Sequence, residues 1–242
     1  MPHGAPDDSD VVKAGAAYRL DDMAELAARL GSPVTFNRFG DVVWLDTFED
    51  GLGGWYAGAT DAASAIYIQG TRTMSGGCAV EMASATIAPD YIGMWKHFAY
   101  KEDTRLGFGC TYACDGDGTT VTIRLVYYDG TRVYLGKVEV DHASGEVSYL
   151  NSGGVETVVG ALGKLDITGY VWYPVKLVID TATGEFVGFR FGPTNIDMSG
   201  LALWQGPATD APRCIASVYF FCDDALDHSL YIDNCVFTVN EF

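Results

Sequence analysis

The sequence predicts an all-β protein, an antiparallel β-sandwich preceded by a short N-terminal helix. Three observations predict it. Of its 242 residues, 48% are hydrophobic, 29 are glycine and only 19% are charged. That balance favours short strands joined by Gly-rich turns and excludes a disordered chain. In residues 120–126, Val121, Ile123 and Leu125 alternate with Thr120, Thr122 and Arg124, which is the period of a strand with one buried face. A short apolar run near the start, Val42, Val43, Trp44 and Leu45, is matched near the end by residues 230–237, LYIDNCVF. The first and last strands are therefore expected to pair and to close one domain over residues 34–242, with residues 1–33 as a tail and helical arm. A chain of this length can bury the core of a single large sandwich.

The elements follow in order. Residues 1–10 are polar and carry Pro and Gly, so a tail is expected. Asp22 and Glu25 stand at capping-box spacing, and Met23, Leu26, Ala27 and Leu30 share one helical face. Gly31 and Pro33 then stop the helix. Strand patterns occupy residues 42–45, 64–69, 78–83, 91–100, 106–113, 120–126 and 133–140. Asp129-Gly130 between the last two predicts a type I′ hairpin with positive φ at both residues. Residues 147–150 and 155–159 continue the meander. A second hairpin spans residues 171–191, with Pro174 marking an edge or a bulge near its start. Residues 201–204, 215–222 and 230–239 complete a set of twelve to fourteen strands.

Charge narrows the function classes. The formal net charge is −17, from 15 Lys and Arg against 32 Asp and Glu. Such a surface repels phosphate backbones, so no nucleic-acid partner is expected. No apolar run approaches the ~20 residues that a membrane helix needs, so no membrane partner is expected either. The first ten residues lack the basic and apolar regions of a secretory signal, which suggests synthesis in a cytoplasm. Six cysteines show neither a CxxC pair nor zinc spacing and most sit in apolar strands, so buried free thiols are expected, with a disulfide or two as the alternative if the protein matures outside a cell.

Two kinds of site emerge from the residues. Asp46, Glu49, Asp50 and Asp233 are oxygen donors at the predicted ends of the first and last strands. Ca²⁺ takes roughly six to eight oxygens, and such carboxylates with loop carbonyls supply them. Separately, Trp55-Tyr56, after a Gly-rich loop, and Tyr127-Tyr128, beside a hairpin turn, are candidate sugar-stacking platforms. Trp44, Trp95 and Phe98 lie in apolar runs and are expected in the core.

Three stretches carry resemblances. FEDGLGGW, residues 48–55, and YIDN, residues 231–234, resemble the opening and closing segments of jelly-roll carbohydrate-binding modules. The resemblance implies a structural calcium at the matching positions, Glu49 and Asp233. Residues 172–192, WYPVKLVIDTATGEFVGFRFG, are similar to a hairpin of laminin-G-like and concanavalin-like sandwiches. The expected fold is accordingly jelly-roll or concanavalin-like. Glu139 and Asp141, with Glu146 nearby, resemble imperfectly the Glu-x-Asp-x-Glu strand of laminarinase-like glycosidases, because the third acid falls in a turn.

Three readings of function follow. The leading one is a non-enzymatic structural protein, a virion surface component such as a capsid decoration or tail protein, self-associating or binding other virion proteins through the N-terminal arm. A short helix, then VVWLDTFEDG, then a sandwich is similar to phage structural proteins. The alternative is a carbohydrate-binding module, secreted and bound to surface glycans. The second alternative is a glycan-active hydrolase or lyase resting on Glu139 and Asp141. No nucleophile elbow and no HExxH spacing is present, so the leading reading excludes catalysis.

Overall fold

The computed structural model describes residues 40–86, 89–99, 104–208, 210–224 and 226–241. The expected tail and helical arm, and the boundary drawn at residue 34, lie outside the described residues. Within them there are strands and turns and no helix. The strands are β1 (Asp41–Asp46), β2 (Tyr56–Ala59), β3 (Ala65–Gln69), β4 (Ala79–Ala83), β5 (Asp90–Phe98), β6 (Arg105–Cys114), β7 (Thr119–Tyr128) and β8 (Arg132–Asp141). They continue with β9 (Glu146–Leu150), β10 (Glu156–Ala161), β11 (Tyr173–Asp180), β12 (Glu185–Phe191), β13 (Thr194–Asp197), β14 (Trp204–Pro207), β15 (Arg213–Cys222) and β16 (Ser229–Val239). The two beyond the expected count, β2 and β13, are four residues long and carry no alternating pattern; their pairing comes from β5 and β12.

These strands form two antiparallel eight-stranded sheets. The first runs β13-β12-β11-β6-β16-β4-β3, with β1 also on β16; the second runs β10-β9-β8-β7-β15-β5-β2, with β14 also on β8. Alternation decides which residues meet between them. Val121, Ile123 and Leu125 of β7 and Ala216, Val218 and Phe220 of β15 point inward, as do Leu106, Phe108 and Tyr112 of β6; all are fully buried. Burying a Leu, Ile or Phe side chain contributes about 1.5–3 kcal/mol, so this double layer is the main source of stability. Of the six cysteines, which are all free, five are buried in the same way.

The expected pairing of the first and last strands is present, with Asp41 opposite Val239 and Asp46 opposite Cys235. One half of β16 pairs with β4 and the other with β1, and the register shifts between Asp233 and Val236 where the partner changes. Asn234 takes a positive φ of 59° there. The bulge turns Asp233 into the gap between β4 and β1.

Two local expectations are corrected. At Asp129-Gly130 only Gly130 has a positive φ, 96°, so the turn is not type I′. The Asp129 carboxylate instead accepts from the Thr131 and Arg132 amides, both at 2.6 Å, and stabilises a three-residue loop. Pro174 lies on a strand with neighbours on both sides rather than at a sheet edge. It is tolerated because pairing with β12 begins one residue later, at Val175.

On the outer face of the first sheet, the chain end folds back over Gly107. An added Cβ there would lie 2.5 Å from Glu241 Oε1 and 2.9 Å from Lys176 Cε, so glycine makes this approach possible. Lys176 Nζ meets Glu241 Oε1 at 2.5 Å, with side chains 6% and 2% exposed, and the Thr238 hydroxyl donates to the same oxygen. Burial pushes the Lys176 pKa below its ordinary value, opposed by Glu241.

Candidate functional site

The outer face of the second sheet gathers the residues that alternation sends away from the core. Register aligns them in rows across the strands. One row runs Tyr56, Trp95, Ser217, Arg124 and Lys137 on β2, β5, β15, β7 and β8. The next runs Gly58, Gly93, Tyr219, Thr122 and Glu139. On the other side of the first row stand His97, Ile215, Val126, Leu135 and Trp204, the last on β14.

Small residues let the rings lie flat. Gly93 is covered by Tyr219: an added Cβ would stand 2.0 Å from its Cδ1. The Tyr219 ring is stacked with Tyr91, centroids 4.9 Å apart at 22°, and lies nearly parallel to Trp95 at 6.5 Å and 18°. Tyr56 continues the series against Trp95 at 6.1 Å and 13°. Four near-parallel rings thus form one platform. Beside it opens a cleft of about 350 Å³ lined by Trp95, Arg124, Val126, Tyr128, Val133, Leu135, Trp204, Ile215, Ser217 and Tyr219. Aromatic faces with a few polar groups in a concave site suit a sugar chain, whose rings have apolar faces and polar edges.

The charges are arranged unevenly. Arg124 lies 5.0 Å above the Tyr219 ring, and burial raises the Tyr91 pKa while Arg124 beside it opposes the rise. Lys137 is held by Glu139 at 2.8 Å and Glu156 at 2.6 Å. Arg213 pairs with Asp210 at 2.9 Å and covers Tyr128 at 5.0 Å. Glu139 also accepts from the Thr122 hydroxyl at 3.2 Å. Asp141 caps the turn after β8, accepting from the Ala143 amide at 2.8 Å and the Ser144 hydroxyl at 2.8 Å. Glycosidases use two carboxyl groups roughly 5–9.5 Å apart across the scissile bond. Both acids of the laminarinase-like resemblance are engaged in structural contacts, and the cleft lining contains no carboxylate.

The structure separates the four expected platform residues. Tyr56 is 56% exposed on the ring platform, and Tyr128 lines the cleft. Trp55 is buried against Trp44 and Phe48 and donates its indole N–H to Asp46 at 3.0 Å. Tyr127 points inward and is 1% exposed. Tyr127 and Tyr128 are adjacent on β7 and face opposite ways, while Trp55 ends the loop before β2 and turns inward as Tyr56, the first residue of β2, faces outward. Trp95, expected in the core, is on the outer face. Tyr219, Arg124 and Trp204 were not singled out from the sequence. β15 reads RCIASVYFFC, and its outward set mixes Ile215 and Phe221 with Arg213, Ser217 and Tyr219, so its period is weak. For Arg124 the signal was present, since it belongs to the polar set of the β7 alternation.

Glu49 and Asp233 are brought together around one loop. Asp233 Oδ2 accepts from the Met74 and Ser75 amides at 2.9 and 3.0 Å. Glu49 Oε1 accepts from the Gly77 and Cys78 amides at 2.6 and 3.1 Å. Asp46 is not part of this arrangement, because its oxygens take the Phe48 amide and the Trp55 indole. Asp233 is fully buried, and its Oδ1 has no partner. Burial raises its pKa, and the Glu49 charge adds to the rise. Among the described residues no group of three or more His, Cys, Asp and Glu side chains stands together to hold a metal ion, so a cation here would depend on these two carboxylates and loop oxygens.

No protein-family model matches the sequence, and no curated protein matches it. Among solved structures, the chain is similar to an endo-β-1,4-glucuronan lyase from the fungus Trichoderma reesei, at TM-score 0.59 and 10% identity over 81% of this chain and 95% of that one. It is similar to the cellulose induced protein Cip1 at TM-score 0.53 and 13% identity, over 81% and 96% of the two chains. It is also similar to a Bacillus licheniformis β-glucanase at TM-score 0.50 and 9% identity, over 81% and 97%. These likenesses show the jelly-roll or concanavalin-like sandwich expected from the sequence. They also correct the expectation of a non-enzymatic protein: a lyase and a glucanase are built on this fold, so a missing sequence motif is no ground for excluding catalysis.

Proposed function

We propose that the protein is glycan-active and holds a polysaccharide chain in the cleft on the outer face of the second sheet. The observation that carries this reading is the platform of near-parallel rings, Tyr56, Trp95, Tyr219 and Tyr91, bordering an open cleft. The lyase and glucanase among the similar structures support it at the level of fold. The virion reading, by contrast, rests on an arm that lies outside the described residues.

The test is affinity electrophoresis against soluble xylan, mixed-linkage β-glucan and polygalacturonate, with each polymer also scored for new reducing ends and unsaturated products. At least one polymer is expected to retard the protein. Trp95→Ala and Trp204→Ala are each expected to weaken that binding about tenfold or more, since ring contacts contribute about 0.5–1.5 kcal/mol beyond the area they bury. Melting temperatures of both variants should stay near the parent's. If none of the polymers binds, or if both variants bind unchanged, the cleft is not the site.

We also propose a structural calcium held by Glu49 and Asp233. Because its folded pKa is raised, Asp233 favours the folded state below the ordinary carboxylate pKa of about 3.9 and opposes it as pH rises through the folded value. A bound cation reverses that penalty at neutral pH. Chelation is therefore expected to lower the melting temperature at pH 7.5 and to have little effect near pH 3.5. Asp233→Asn should remove the difference between calcium and chelator. An equal melting temperature with either additive at pH 7.5 would rule the cation out.

A further inference from the structure

We infer that the cleft is built for an acidic polysaccharide and that Arg124 is the residue that reads the sugar carboxylate. The inference rests on the cleft reading above and adds the class of sugar. It starts from an imbalance. The chain carries a net charge of −17, yet the cleft lining contains no carboxylate and one charged side chain, Arg124.

Arg124 stands at the middle of the sheet, and its guanidinium makes no ion pair among the described residues. Its Nε is enclosed and has no hydrogen-bond partner. The neighbouring cations differ, because Lys137 and Arg213 are already matched by Glu139, Glu156 and Asp210. A buried donor without a partner costs about 1–3 kcal/mol, and a charged group without a countercharge costs more. The ring of Tyr219 at 5.0 Å holds the guanidinium in place and compensates part of this through its π face. The Tyr91 hydroxyl beside the guanidinium is a neutral partner for it, so what the site lacks is a countercharge.

A ligand with a planar anionic group supplies that countercharge to the part of the guanidinium that lines the cleft. A guanidinium presents its N–H donors in a flat fork that matches a carboxylate in two parallel hydrogen bonds. The rings of Trp95 and Tyr219 flank Arg124 within the lining, so a sugar resting on them presents its substituent to the guanidinium. The protein's overall negative charge makes this a demanding contact. Long-range repulsion disfavours any polyanion and is screened over about 8 Å at physiological salt. Selective uptake of an acidic chain must therefore come from a local group.

The experiment compares matched polymers on the full chain by isothermal titration at 0.15 M salt. Polygalacturonate is set against the same polymer with its carboxyls reduced to alcohols, and dextran sulfate against dextran. The parent is expected to bind polygalacturonate at least tenfold more tightly than the reduced polymer. Arg124→Gln should abolish that preference while keeping residual binding to the reduced polymer, and Arg124→Lys should restore part of it. Equal affinity for both members of the carboxyl pair overturns the inference and leaves the cleft reading standing. Binding of dextran sulfate as tight as that of polygalacturonate, with Arg124→Gln lowering both alike, overturns the carboxylate assignment in favour of general anion attraction. Binding to none of the four overturns the inference and the cleft reading together. Should Arg124→Gln not fold, the comparison of the matched polymers on the parent still decides.

Discussion

Glu241→Gln is expected to destabilise the protein by about 3–5 kcal/mol, the range seen when one partner of a buried ion pair is removed. For a chain of this size that is a fall in melting temperature of roughly 6–20 °C. The side chains of Lys176 and Glu241 are almost wholly enclosed, and Gly107 gives them the space to meet. Glutamine keeps the shape and an acceptor for the Thr238 hydroxyl, but it removes the carboxylate that meets Lys176 Nζ in a desolvated position. The sign of the pH dependence follows. Burial already depresses the Lys176 pKa, and removing Glu241 depresses it further. The stability linked to a depressed lysine is present above its ordinary pKa of about 10.4 and is lost as pH falls through the folded value. The defect of Glu241→Gln is therefore larger at pH 7 than at pH 9.5. The double variant Lys176→Met with Glu241→Leu should recover most of the loss, because apolar residues can replace such a pair without penalty. Chemical denaturation at both pH values measures all of this. A single variant melting within about 2 °C of the parent would mean that the pair contributes nothing to stability.

Gly93→Ala is expected to weaken glycan binding about tenfold or more and to destabilise the fold by about 1–3 kcal/mol, as overpacking does. The new methyl would fall 2.0 Å from Tyr219 Cδ1 and 2.2 Å from Cε1, so the ring must leave its place. Its stack with Tyr91 and its alignment with Trp95 go with it. Gly58 provides the internal comparison. It lies in the same row, opposite Gly93, but a Cβ there would stand 3.5 Å from Trp95, an ordinary van der Waals contact. Gly58→Ala should bind and melt like the parent. Near-ultraviolet circular dichroism reads the loss of the ring stack without depending on any ligand. Unchanged spectra and binding in Gly93→Ala would show that Tyr219 has room to rotate and is not fixed by the glycine beneath it.

Much of the fold was legible because it depends on short-range pattern. The alternation of Val121, Ile123 and Leu125 placed β7 and its inward face correctly, and the apolar runs at each end placed β1 and β16. The site was less legible. Period-2 alternation marks a face only where the two faces differ in polarity. On β15 the outward set includes Ile215 and Phe221 beside Arg213 and Ser217, so the contrast is weak and Tyr219 did not stand out, and Trp95 on β5 was obscured in the same way. Tyr127 shows the converse error, since a pair of adjacent aromatics on a strand cannot share a face, and Trp55 is drawn inward from the loop before β2 by its hydrogen bond to Asp46.

By itself the sequence determined the class of fold, the pairing of its first and last strands and the burial of five of its six cysteines. Each follows from local hydrophobic period or from the closing of a sandwich on its own termini. Only the tertiary structure decided the ring platform and the cleft. Tyr56, Trp95, Ser217 and Arg124 come from four strands far apart in the chain, and their order in one row is set by register across the sheet. Register depends on how whole strands pack against the opposite layer, and local sequence carries little trace of it.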